Sequence, residues 1–166
     1  MSKKLIWTIV AVVAVLAVAV CAVVFLKPET EANVEGTLEE IMAKVYAGIP
    51  EENLPMLGQM PVDAENVESY LGTTDISFKE ALVSEPMIGS IPHSVVLVRL
   101  NDAKDADAVV AKIKENVNPR KWICVEASNV IVKSKGDLVI LIMSDAEGTP
   151  VEQHLAPVLE ANFNNL

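Results

Sequence analysis

The 166-residue chain has only two histidines and two cysteines. His93 and His154 stand in neither a His-Glu-x-x-His nor a His-x-His pattern, so no familiar zinc spacing is present, and surface or satisfied polar roles are expected for both. The Gly-x-Ser-x-Gly elbow of serine hydrolases is missing. The seven glycines form no phosphate-cradling loop. Cys21 lies inside a long apolar run and Cys124 inside a shorter one, so the pair does not form a structural disulfide. Cys124, with no histidine or other base beside it in sequence, reads as a buried core thiol. The segment from Asp145 to Gly148 lacks the ligand spacing and final glutamate of a calcium loop, and reads instead as a turn with acids at a helix start. No enzyme class and no cofactor is expected.

Basic residues are the next shortage. Lys and Arg number 13 against 23 Asp and Glu. Three of the lysines (Lys3, Lys4 and Lys27) precede every acidic residue, so residues 28–166 carry ten basic against 23 acidic groups, a net charge of −13. Phosphate backbones and anionic lipid surfaces attract clustered Lys and Arg, so neither nucleic acid nor an acidic membrane surface suits this portion. Neither an internal repeat nor a low-complexity segment is visible beyond the first apolar run.

That run is the strongest signal in the chain. Leu5–Leu26 contains no charge, no Gly and no Pro. As a helix its 22 residues would be roughly 33 Å long, against a bilayer core of about 30 Å. Lys3 and Lys4 precede it and the acids Glu29, Glu31 and Glu35 follow, which predicts a cytoplasmic start at 1–4 and an extracytoplasmic remainder. The run exceeds a usual signal-peptide core. Ala17-Val18-Ala19 offers a small-x-small cleavage pattern, but cutting there leaves an apolar start on the product; Cys21 invites lipidation, but Val20 stands where such sites place a small residue. The expectation is an uncleaved signal-anchor over 5–26, with the lipidated and cleaved forms as alternatives. Residues 27–36 are then a short acidic tether and 37–166 an extracytoplasmic domain, about 130 residues being enough for one domain around one core.

Within the domain, Thr37 and Glu40 form a capping-box pattern that predicts a helix over 37–48. Residues 48–61, punctuated by Gly and Pro, read as a connector. Asp63 and Gly72 bracket a short helix, 64–71. Alternation predicts a strand near 75–84, and the continuous apolar run 94–100 a buried one. Asn101 or Asp102 caps a helix at 103–117. Three more strands are expected at 122–126, 130–133 and 138–143, the last two joined by the Ser-Lys-Gly-Asp hairpin signal. Thr149 and Pro150 open a final helix, 150–163. This order predicts an α+β chain: one N-terminal transmembrane helix, then a two-layer α/β sandwich with helices on one face of a mixed or antiparallel sheet.

Four stretches together (LEEIMAKVYAGIP, SFKEALVSEPMIGSIPHSVVLVRL, ENVNPRKWICV and NVIVKSKGDLVILIMSD) resemble a family of small membrane-anchored or lipoprotein extracytoplasmic domains of unknown function from Firmicutes (clostridia). The resemblance covers nearly the whole domain and implies a membrane-attached α/β domain outside the cell. It implies no activity, cofactor or catalytic residue. Lipobox cysteines are common in that family, and Cys21 departs from the pattern.

Two stretches are candidate partner contacts. Arg120, Lys121 and Trp122 place two cations and an aromatic together on an acidic domain, a cluster suited to an anionic ligand or acidic segment. The alternative is a strand start whose tryptophan packs inward and whose cations cap the preceding helix. Met87, Ile88 and Ile91 lie in a Gly- and Pro-bounded loop that either binds a partner or tucks under the sheet edge. The functional expectation is a non-catalytic anchored module binding a partner protein or an envelope component; the alternative is a small-ligand-binding or sensing domain, ahead of an enzyme with no recognisable motif.

Overall fold

The computed structural model describes residues 32–166. The expected span at 5–26 and the first part of the tether lie outside them. Among the described residues, no helix is long and apolar enough to cross a membrane.

The apolar runs meet in one five-stranded sheet, β1 Leu57–Pro61, β2 Glu80–Pro86, β3 Ser94–Arg99, β4 Asn129–Lys135 and β5 Leu138–Ser144, in the order β1-β2-β3-β5-β4. Every neighbouring pair is antiparallel, which narrows the expected mixed or antiparallel sheet. Among the described residues the α-helices are α1 Leu38–Val45, α2 Val67–Leu71, α3 Ala106–Asn116 and α4 Ala156–Asn164.

The α+β class stands, but the layering differs from expectation. Along β3, Val95 and Leu97 face a cluster with Ile41 and Met42 of α1 and Leu159 and Phe163 of α4. Val96 and Val98 face the opposite cluster, with Leu71 of α2 and Val109 and Ile113 of α3. On β5, Leu138, Ile140 and Ile142 share the first face and Val139, Leu141 and Met143 the second. Helices therefore cover both sides of the sheet, giving three layers and two cores where two layers and one core were expected. Side chains alternate between faces along a strand, so a strand buried on both sides must be apolar at every position. β3 and β5 are buried throughout.

Local signals explain where elements begin and end. Thr37 Oγ1 accepts from Glu40 N–H and Glu40 returns a bond to Thr37 N–H, the expected capping box; the helix ends at Val45, short of the expected 48. Gly72, at φ 75°, terminates α2 in the left-handed region. Asp102 caps a 3-10 turn, Ala103–Asp105, that leads into α3. Gly136, at φ 54°, takes the first position of a two-residue hairpin turn between β4 and β5.

Five sequence expectations are corrected. The 48–61 connector contains β1, an edge strand, where a terminal Pro61 is tolerated. The strand expected at 75–84 runs over 80–86. Residues 122–126 form no strand; Cys124 has φ 61° and its thiol is exposed, not buried. Pro150 and Thr149 do not open the last helix. Pro150 precedes a 3-10 turn, Val151–Gln153, and α4 starts only at Ala156.

The chain enters the domain at one end of the sheet. Val34 N–H donates to Asp137 Oδ1 at 3.2 Å, while the Arg99 guanidinium donates to Val34 O at 2.8 Å, Gly36 O at 2.7 Å, Asp137 Oδ2 at 3.1 Å and Glu80 Oε1 at 2.9 Å. This buried fork holds residues 34–36 against the ends of β3 and β5.

Candidate functional site

The opposite end of the sheet holds a cleft of about 490 Å³. Its floor is built where β3 begins and β5 ends, from His93, Ser144 and Asp145, all buried. Leu54 and Pro55 bring one wall from the α1–β1 connection, Ile91 and Pro92 another from the β2–β3 loop, and Leu155 a third from the start of α4.

A chain of polar atoms runs beneath this floor. Tyr46 Oη lies 2.8 Å from His93 Nε2, His93 Nδ1 lies 2.8 Å from Ser144 Oγ, and Ser144 Oγ lies 3.3 Å from Asp145 Oδ1. The Asp145 carboxylate only accepts, so its contact with Ser144 is a donation from the serine hydroxyl, while the two 2.8 Å contacts of the His93 ring run in either direction according to its tautomer. Burial pushes His93 down to about 4, against the smaller upward pull of Asp145, and raises the Tyr46 phenol above its usual range. Both stay neutral near pH 7. The row ties α1, the start of β3 and the end of β5 together under the cleft.

Asp145 is the joint of the site. It adopts φ 66°, a left-handed conformation that is uncommon outside glycine and most accessible to Asn and Asp. In that conformation its carboxylate accepts from Leu155 N–H at 2.9 Å and Ala156 N–H at 3.3 Å, capping α4, and from Asn129 Nδ2 at 3.0 Å. Its carbonyl accepts from Ser128 N–H and Oγ–H, both at 2.7 Å. The helix-start acid expected at this turn is thus present, but it caps a helix ten residues downstream.

The candidate contact residues separate in space. Lys121 turns inward: its amine pairs with Glu85, lies 3.3 Å from Ser94 Oγ, and sits 4.8 Å from the Tyr70 ring centre and 5.2 Å from that of Trp122. Burial lowers its pKa against the upward pull of Glu85. Trp122 packs partly buried against the α2–α3 core. Only Arg120 is well exposed, and it pairs with Glu126 at 3.3 Å. The three do not form one cationic patch, because successive residues of an extended loop point in different directions. Arg120 and Trp122 instead line a second hollow with Cys124 and Glu147, next to the cleft and sharing Val125 and Ala146 with it.

The 87–91 stretch behaves differently. Met87 is 72% exposed and Ile88 57%, while Ile91 turns into the cleft wall. Two residues that sequence reasoning passed over join them, Met56 at 71% and Ile123 at 74% exposure. Backbone bonds hold the group together: Met87 N–H donates to Met56 O at 3.0 Å and Ile123 N–H to Gly89 O at 3.1 Å. The missed residues lay in segments read as a connector and as a strand, where apolar side chains suggest burial. Ser144 and Asp145 were missed as site residues because their role depends on His93, 51 positions away. His93 is a satisfied polar residue; His154 is half-buried and bonds to Thr149 O at 2.9 Å. Among the described residues, no group of three or more His, Cys, Asp or Glu side chains is arranged to hold a metal ion.

No family model, curated protein or solved structure matches the chain.

Proposed function

We propose that the chain is a membrane-anchored extracytoplasmic binding module without catalytic function, and that it engages a partner protein through the cleft end of its sheet. The observation that carries this reading is the group Met56, Met87, Ile88 and Ile123, four large apolar side chains left mostly in water on segments that backbone hydrogen bonds join and that run on into the cleft walls. Scattered exposed apolar residues are ordinary, but a contiguous group costs solubility and marks a contact surface. The ordered Tyr46–Ser144 row beneath it supports binding by preorganisation. The anchor at 5–26 supports a partner in or near the same membrane, since a ten-residue tether reaches at most ~35 Å.

The test is photo-crosslinking in intact cells, with a photoreactive residue placed at Ile88 or, as control, at Val158 on α4. A protein adduct formed from position 88 and not from 158 is the expected result. Equal or no adducts would remove this surface as the contact. The cleft volume of about 490 Å³ favours a second reading, a small-ligand site, since small-molecule pockets span about 300–1,000 Å³.

A further inference from the structure

We propose that the occupant of this surface is an extended segment of the partner that carries apolar side chains flanked by Lys or Arg; the inference rests on the binding-module reading above and names the chemistry it leaves open. Three features of the cleft mouth point to that chemistry.

The first is charge. Two proline-led 3-10 turns flank the cleft, Glu51–Asn53 after Pro50 and Val151–Gln153 after Pro150. The first carries Glu52 into the cleft lining, the second carries Glu152 beside the lining residue Gln153, and Glu147 stands in the adjoining hollow. All three are exposed, and none forms an ion pair among the described residues, whereas the neighbouring Glu85 and Glu126 are paired with Lys121 and Arg120. The unneutralised charge beside the apolar rim is therefore negative, and it attracts a cationic partner segment and repels an acidic one.

The second is the kind of hydrogen bonding on offer. Asn53, Ser90, Thr149 and Gln153 line the mouth, and their side chains make no hydrogen bond to other described residues. Amide and hydroxyl groups of this sort match the alternating N–H and C=O groups of an extended main chain. Flexible methionines at the rim accommodate apolar side chains of varied shape.

The third is position. The rim lies at the Ser94 and Ser144 end of the sheet, whereas residues 34–36 enter at the Arg99 and Asp137 end. A strand of six residues separates the two ends by about 20 Å. The rim is therefore not covered by residues 34–36 and stays open to a partner segment.

The experiment uses the full-length chain in phosphatidylcholine nanodiscs with 13C-methyl methionine. The probes are three synthetic peptides of about ten residues, alternating Lys/Leu, Glu/Leu and Lys/Ser. The Lys/Leu peptide is expected to shift the Met56 and Met87 methyl signals and leave the fully buried Met42 and Met143 in place. Glu52→Gln, Glu147→Gln and Glu152→Gln combined should weaken it about tenfold, the summed effect of three exposed charges. The equal-charge control Glu65→Gln, Glu68→Gln and Glu115→Gln should leave it within about twofold. Comparable binding of the Glu/Leu or Lys/Ser peptide, equal losses in both triple variants, or shifts confined to other methionines overturn the proposal. So do Met56 and Met87 shifts produced by phosphatidylglycerol vesicles alone, which would make the occupant a lipid. An adduct at position 88 in cells with no response to any peptide discards the segment chemistry and keeps the partner; failure of both discards the two together.

Discussion

Single residues in this domain show how a buried polar atom is either satisfied or costly. Ser84 Oγ on β2 is buried and makes no hydrogen bond of ordinary geometry among the described residues, although it is near enough to the Tyr46 phenol to pull that pKa down against the larger rise from burial. An unmade buried hydrogen bond costs about 1–3 kcal/mol, so Ser84→Ala should stabilise the domain by about 1 kcal/mol in urea unfolding; a loss of stability would show that the hydroxyl is bonded after all. His93 is the opposite case, fully bonded but expensive to charge. Its folded pKa of about 4 lies below the unfolded 6.5, so the unfolded chain binds the extra proton between those values. The neutral imidazole's contribution is complete above pH 6.5 and is lost as pH falls toward 4, amounting to ~3 kcal/mol at about 1.4 kcal/mol per unit. In His93→Gln that component disappears. The stability gap between wild type and variant should therefore narrow on going from pH 7 to 4, and a constant gap would place the titration elsewhere.

At the scale of elements, the loop 118–127 matters most, because it supplies Ile123 to the rim and Arg120 and Cys124 to the adjoining hollow while having no secondary structure over most of its length. Lys121 holds it to the sheet through Glu85 and lies against two aromatic rings. Lys121→Glu places like charges together in a half-buried site and should cost about 3 kcal/mol, the scale for stranding one member of a buried pair. Arg120→Glu, on an exposed side chain, should change the melting temperature by no more than a degree or two, about 0.5 kcal/mol or less. Thermal unfolding of the two single variants checks this. Equal effects would mean that the loop is held by something other than the lysine. Sequence alone made these neighbours look alike, two cations in a row; only the partners found in space separate an anchor from a surface charge.

For the whole molecule, the consequential feature is that entry and rim occupy opposite ends of the sheet. The Arg99 fork makes the entry end rigid, joining residues 34–36 to β2, β3 and the β4–β5 turn. Arg99→Met leaves Asp137 buried without its cation, at a cost of about 3–5 kcal/mol. It should also free residues 32–36 for cleavage by a nonspecific protease at low dose, whereas Glu80→Gln, at the exposed side of the fork, should leave them protected. Matching protection in both variants would show that the strap is held by Val34 packing alone. Both faces of β3 and β5 are buried, so loss of either helix layer would expose core strand residues, whereas the exposed rim residues lie outside both clusters.

The one-dimensional pattern was enough for the elements whose signals are local. The capping box at Thr37, the stop at Gly72, the Gly136 hairpin and the buried runs of β3 and β5 depend on neighbours within a few residues, and all are where periodicity and turn chemistry put them. The same runs also held the clue to the layering, since strands apolar at every position have no wet face. Tertiary structure decided what depends on distant partners. β1 exists because Leu57–Pro61 finds β2; Cys124 and Ile123 are exposed because their loop is pinned at Lys121; α4 begins at Ala156 because the Asp145 carboxylate waits there. The cleft itself joins residues more than a hundred positions apart, from Glu52 to Leu155. An edge strand, a loop's orientation and a cap reached across ten residues are settled by long-range contacts, whose free energy outweighs the weak local preferences that a sequence displays.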